Sequence, residues 1–170
     1  MFEKFGEFDS AEELNRAAAG LKEEGDSQAL IDLALENGLE KGDAEDYEDG
    51  YCEELATQIM AAFGKIKIEC EELKPQEIMQ DWIEYIKAEC TDSVEMRKAV
   101  RKKGKSIKGC IAELLKWSFG HQIPIDQEIL KAAGVNASCV TLGIPGMGKA
   151  KELIRSYYLE ESNGTKETVK

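Results

Sequence analysis

Apolar residues return at three- and four-residue intervals through almost the whole chain, and each run is bracketed by its own start and stop signals. That period belongs to one face of an α-helix, so this sequence can bury its apolar side chains only by packing helices together. Ser10-Ala-Glu-Glu13 is a capping box, followed by Leu14, Ala17, Ala18 and Leu21 until Gly25 stops the pattern. Asp26 and Ser27 can cap a second helix, with Leu30, Ile31, Leu33, Ala34 and Leu35, that ends at Asn37-Gly38. Gly42-Asp43 starts a turn or two through Asp49, and residues 51–64 read as a third amphipathic helix with Leu55, Ile59, Met60 and Phe63 inward. Residues 65–74 alternate in KIKIE as a short strand would. No second strand pattern lies nearby to pair with them, so an extended connector is expected.

The second half continues in the same way. Pro75 fits a first helical turn, and Ile78, Met79, Trp82, Tyr85 and Ile86 form a core stripe. Asp92 with Glu95 caps a basic helix over residues 94–103, broken at Gly104. Ser106 restarts it, with Ile107, Cys110, Ile111, Leu114 and Leu115 on one face as far as Gly120. Asp126 caps a short helix to Gly134, and the last helix runs from Gly148 to about Leu159, before the polar tail ESNGTKETVK. The expectation is an all-α, compact multi-helix domain with C-terminal helical hairpins of helix-turn-helix type. Residues 1–74 form an acidic helical region, residues 75–160 carry a basic patch and a hairpin turn, and residues 161–170 form a frayed tail.

With 170 residues, 42% of them hydrophobic, the chain can bury a sizeable core. No run approaches the roughly 20 apolar residues of a membrane span. The opening MFEKFGEFDS has neither a basic stretch nor an apolar one, so a cytoplasmic location is expected. Cys52, Cys70, Cys90, Cys110 and Cys139 contain no CxxC pair and are read as reduced thiols. The one histidine, His121, is ten or more residues from any cysteine, which removes the spacing a zinc site needs. It also leaves Ser-His and Cys-His catalysis without a partner, and His121, after Gly120, suits a cap or a surface. No cofactor, metal or catalytic residue is expected.

Charge is distributed unevenly. The net charge is −12, yet residues 1–60 hold 18 acids against 4 bases, whereas residues 96–170 hold 7 acids against 14 bases. Segregation on this scale creates two surfaces that prefer opposite partners. Asp43, Glu45, Asp46, Glu48, Asp49, Glu53 and Glu54 crowd the acidic half. On a helix, residues three and four apart have β-carbons ~5–6 Å apart, so these carboxylates would make a ribbon whose charge density resembles a phosphate backbone. A solvated helix face is the plainer alternative. A calcium loop is excluded, because DAEDYEDGYCEE lacks the Asp-x-Asp-x-Asp-Gly order.

The basic half concentrates Arg97, Lys98, Arg101, Lys102, Lys103, Lys105, Lys108 and Lys116 against the single acid Glu113. Lys102, Lys103 and Lys105 straddle Gly104, where a phosphate could approach two helices at once. The equal alternative is a cationic surface that pairs with the chain's own acidic half. Residues 128–143, EILKAAGVNASCVTLG, have the pattern of a helix-turn-helix core: Ala133 before the turn at Gly134, then Val135, a cap at Asn136 or Ser138, and Val140 inward. Leu130 departs from the alanine that such motifs place at its position. In GIPGMGKAK, Gly143, Gly148 and Lys149 match GxxxxGK, but Ala150 stands where a P-loop needs Ser or Thr. The turn Ile144-Pro145-Gly146-Met147-Gly148 is closer to a helix-hairpin-helix hairpin, whose backbone N–H groups meet a phosphate, with Lys149 and Lys151 beside it. Glu152 stands where those modules place alanine, so the likeness covers the turn and not the following helix.

The segments FGEFDSAEELN, KPQEIMQDWIEYIKAEC, RKAVRKKGKSIKGCIAELLKWSF and VTLGIPGMGKAKELIRSYY together resemble a family of small proteins carried by phages and conjugative elements of Firmicutes. The likeness spans nearly the whole chain. GKSIKGCIAELLKWSF followed by the C-terminal YY is similar in layout to PcfK-like conjugation proteins. The resemblance implies a type II anti-CRISPR protein, an inhibitor of an RNA-guided Cas nuclease loaded with its guide RNA, and it carries over no residue role. Because Cas nucleases hold nucleic acid in positively charged channels, the acidic half is expected to occupy such a channel or crowd its entry, and the basic third to hold double-stranded DNA or guide RNA. The alternative is a DNA-binding regulator or accessory protein of a mobile element.

Overall fold

A computed structural model of the chain describes residues 2–160, so the expected frayed tail lies outside the described residues. The chain begins with three helices, α1 (Ala11–Glu24), α2 (Ser27–Glu36) and α3 (Lys41–Asp49). They are followed by α4 (Gln58–Leu73), α5 (Ile78–Asp92), α6 (Val94–Arg101) and α7 (Ile107–Gly120). A strand β1 (Ile123–Pro124), helix α8 (Gln127–Ala132), strand β2 (Thr141–Leu142) and helix α9 (Met147–Leu159) complete it. The fold is all-α, with one two-stranded antiparallel ribbon among the described residues.

The helix starts are set by side-chain caps. Ser10 accepts from the Glu13 N–H at 3.1 Å, Asp26 from Ala29 at 2.9 Å, Ser106 from Gly109 at 3.0 Å and Asp126 from Glu128 at 2.8 Å. Each satisfies one of the donors that a helix N-terminus leaves open. The cap of α6 is Ser93 and not Asp92, which is the last residue of α5; the Ser93 hydroxyl accepts from Met96 at 3.1 Å.

Two cores result. One gathers Leu14, Leu30, Leu33, Ala44, Tyr47 and Leu55 from the first 60 residues. The other gathers Ile66, Trp82, Ile86, Met96, Ile107 and Ile154 from α4, α5, α6, α7 and α9. They meet inside α4, where Ala61 belongs to the first and Ala62 to the second. Near this junction α2 ends against α4. A methyl built on Gly38 (φ +74°) would overlap the Gly64 backbone, and one built on Gly64 would overlap the Asn37 carbonyl oxygen. Only two glycines allow this approach.

Three sequence expectations are corrected. Residues 51–57 are not helical: Gly50 (φ +83°) ends α3, and the Asn15 side chain grips the Ala56 peptide from both sides, at 2.8 and 3.0 Å. That tertiary grip holds the strap, bent over residues 51–55, out of a helix until Thr57 caps α4, on which Phe63 is outward. Residues 65–73 are helix and not a connector. Lys65, Ile66 and Glu69 share the buried face, so inward charges disguise the helical period as alternation. The helix-turn-helix expectation also fails. Gly134 (φ +66°) ends α8, and the segment after it pairs as β2 with β1 instead of forming a second helix, leaving Val135 exposed. Leu115, too, faces solvent.

Candidate polyanion groove and acidic face

Helix α6 sorts the basic cluster by spacing. Met96 and Val100 point into the core, Arg97 and Arg101 lie on an adjacent stripe that turns back to the protein, and Lys98 and Lys102 face water. Arg97 donates to the carbonyls of Cys90 and Thr91, at 2.5 and 2.7 Å, and so closes the C-terminus of α5. Lys105 donates to the Tyr157 carbonyl at 2.6 Å, at the negative end of α9. Arg101 is 1% exposed, so this expected phosphate contact is corrected: its guanidinium donates to the Asn37 Oδ1 at 2.6 Å, and Nε and Nη1 have no partner. Burial lowers its pKa to about 10.

Lys98, Lys102 and Lys103 are exposed, and their ammonium groups form no hydrogen bond or ion pair with the described residues. They border a groove of about 860 Å³ between the start of α1, the α6–α7 turn and the end of α9. The turn is docked there by the Lys103 N–H, which donates to Asp9 Oδ1 at 2.8 Å. Gly104 (φ +78°) supplies the left-handed residue the turn requires. Glu12, on the opposite wall, stays anionic: its own backbone N–H, Gln58, Ser10 and the charge of Lys98 hold its carboxyl below the usual range. Lys108 is exposed on α7, outside the groove lining. Gly146, Gly148, Lys149 and Lys151 occupy the other end of α9, the length of a 13-residue helix from the groove, about 20 Å. Lys149 pairs with Glu152 at 2.7 Å and Lys151 lies 5.0 Å over the Tyr85 ring.

The acidic residues form a patch and not a single helical ribbon. Ala44 and Tyr47 seat α3 on the first core, with Lys22 donating to the Tyr47 carbonyl at 2.6 Å. Glu45 pairs with Lys41 at 2.7 Å, Glu48 accepts from the Ser27 hydroxyl, and Asp43 accepts from the Glu40 N–H at 2.8 Å. The strap then brings Glu53 and Glu54 beside Asp43 and Asp46 around a recess of about 320 Å³. Asp49, at the end of α3, is exposed. No group of three or more His, Cys, Asp or Glu side chains among the described residues could hold a metal.

His121, Cys90 and Cys110 are committed to structure, whereas Cys52 and Cys139 are exposed. His121 stacks on Trp117 with ring centroids 4.2 Å apart, and its Nδ1 lies 2.8 Å from the Trp117 carbonyl. All five cysteines are free thiols, and burial pushes Cys90 and Cys110 up to about 12, which suppresses the thiolate.

Sequence reasoning missed a buried polar seam between the cores. Lys65, 1% exposed, pairs with Glu7 at 2.6 Å and donates to the Lys102 carbonyl at 2.9 Å, closing the C-terminus of α6. Glu69 accepts from the Ile107 N–H at 2.6 Å and so caps α7 from outside the chain segment. The only sequence signal was a set of charges where an apolar face was due.

Fold and site together define a helical protein with a lysine-edged groove where its two cores meet and a carboxylate patch on the first. No protein-family model, no curated protein and no solved structure matches it. No helix among the described residues is long and apolar enough to cross a membrane.

Proposed function

We propose that this is a non-catalytic binding protein that holds a nucleic-acid phosphate backbone on Lys98, Lys102 and Lys103, and offers its acidic face to a protein that binds nucleic acid. The observation that carries the reading is the trio of exposed lysines at one groove edge, whose ammonium groups bond to none of the described residues, beside a turn fixed in place. Lys98 and Lys102, at i and i+4, repel each other and gain from an anion between them. In the setting the sequence resemblance implies, the protein partner is an RNA-guided Cas nuclease carrying its guide RNA, inhibited in the bacterial cytoplasm. Asp46, Asp49, Glu53 and Glu54, exposed and with no side-chain pairing among the described residues, suit a channel lined with lysine and arginine. The rival reading, an operator-reading regulator, loses its main support because the segment after Gly134 provides no recognition helix.

The test is a pull-down of the purified chain against guide-loaded nuclease, guide-free nuclease and random duplex DNA. Glu45, Asp46, Glu48 and Asp49 changed together to Ala should weaken nuclease capture and inhibition while leaving thermal unfolding nearly unchanged, because exposed pairs contribute only about 0–1 kcal/mol. Undiminished inhibition by this variant would remove the acidic face from the mechanism.

A further inference from the structure

The segment between α7 and α9 differs from the rest of the surface because it is apolar and nearly uncharged. Over residues 117–148 the charged side chains are Asp126, Glu128 and Lys131. Glu128 pairs with Lys131 at 2.6 Å, which leaves one net negative charge on the segment, the Asp126 carboxylate that caps α8. Ile123 of β1 stands directly opposite Leu142 of β2. On the other face of the ribbon, Thr141 donates to Gln122 at 2.8 Å, and Gln122 donates to the Ser118 carbonyl at 2.7 Å, tying that face to the end of α7. Strand alternation therefore turns Ile123, Leu142 and Ile144 the other way. They are 64%, 52% and 60% exposed, and the neighbouring Phe119 is 74% exposed.

Two strands of two residues fall short of what a ribbon needs to be stable alone, and both edges have open hydrogen-bonding groups. At these exposures the four side chains show roughly 400 Å² of apolar surface, the size of a monomer's largest patch and about half of the ~800 Å² each partner contributes to a standard interface.

Charge identifies the occupant. A two-fold contact lays a patch against itself, so any net charge on it meets its own sign. In a chain of net charge −12, the acidic face and the lysine groove edge both repel their own copies. The ribbon does not. We propose that the face formed by Phe119, Ile123, Leu142 and Ile144 pairs with the same face of a second copy, making the protein a two-fold dimer. This stands independently of the groove reading.

Sedimentation of the full chain over a concentration series tests it. The wild type should rise from 18.9 kDa to twice that mass, insensitive to salt, whereas I123E/L142E should stay at the single-chain mass with an unchanged far-UV circular dichroism spectrum. Cys139, exposed one residue before Val140, should be captured as a dimer by a bismaleimide in a C52S background. A wild type that remains at single-chain mass at every concentration overturns the proposal. So does a doubled mass that I123E/L142E preserves or that salt dissolves, the latter marking acid-to-base association. If I123E/L142E alters only nuclease capture while the wild type is a single chain, the ribbon belongs to a different protein.

Discussion

Changing Lys98, Lys102 and Lys103 together to Ala isolates the groove edge from the rest of the basic cluster. Each lysine that neutralises a phosphate on duplex DNA contributes about −0.9 to the slope of log affinity against log salt, so three give about −2.7 and a loss of about 40-fold between 50 and 200 mM salt. Counting all eight bases over residues 97–116 would give about −7. The structure decides between these values: Arg97, Arg101 and Lys105 are bonded to the protein's own carbonyls and to Asn37, Lys116 pairs with Glu113, and Lys108 lies outside the groove. Fluorescence anisotropy with a labelled random duplex, titrated across salt, reads the slope directly. The triple variant should flatten it and weaken all sequences alike, while Arg101→Met should leave the slope unchanged. A wild-type slope near −7 would mean that the internal bases leave their partners to bind. A slope untouched by the triple variant would refute the groove reading.

Two further outcomes test the fold beneath the site. Gly64→Ala places a methyl against the backbone carbonyl of Asn37, which cannot rotate away, so it should cost about 1–3 kcal/mol and roughly 2–12 °C of melting temperature; unchanged melting would mean α2 and α4 approach less closely. Burial raises the Glu69 carboxyl above its ordinary value of 4.5, so the folded state holds this proton more tightly than the unfolded state. Its charge then costs nothing below that pH and progressively more as pH rises through the folded pKa. Glu69→Gln should therefore melt above the wild type at pH 8 and match it near pH 4 in calorimetry. An equal gap at both pH values would contradict the sign.

The order of helices was legible because caps and stops are local chemistry. Ser10, Asp26, Ser106 and Asp126 bond only to residues two or three positions on, and the sequence shows both ends of each bond. What could not be read is what depends on distant partners. Residues 51–57 follow a helical pattern but are held in a bent, non-helical strap by Asn15, 41 positions from Ala56. KIKIE resembles a strand because Lys65 and Glu69 turn inward toward Glu7 and Ile107. The basic cluster was visible as charge, yet which bases remain free depends on carbonyls at Cys90 and Tyr157 and on Asn37, none of which a charge count reveals.

The polar seam explains how the two charged surfaces are held in register. A buried ion pair is weak evidence of stability, since desolvating two charges offsets most of their attraction. Lys65 does something an apolar residue could not: it joins Glu7, before α1, to the Lys102 carbonyl of the turn that displays Lys102 and Lys103. Arg101 completes the link by reaching Asn37 at the end of α2, whose position the Gly38–Gly64 approach fixes. The basic turn is therefore referenced to the core that carries the acidic face. Helices packed by apolar contact alone could slide against each other, whereas these bonds admit one arrangement. Two opposite surfaces on one small chain would otherwise attract each other, and a fixed geometry keeps both open to separate partners.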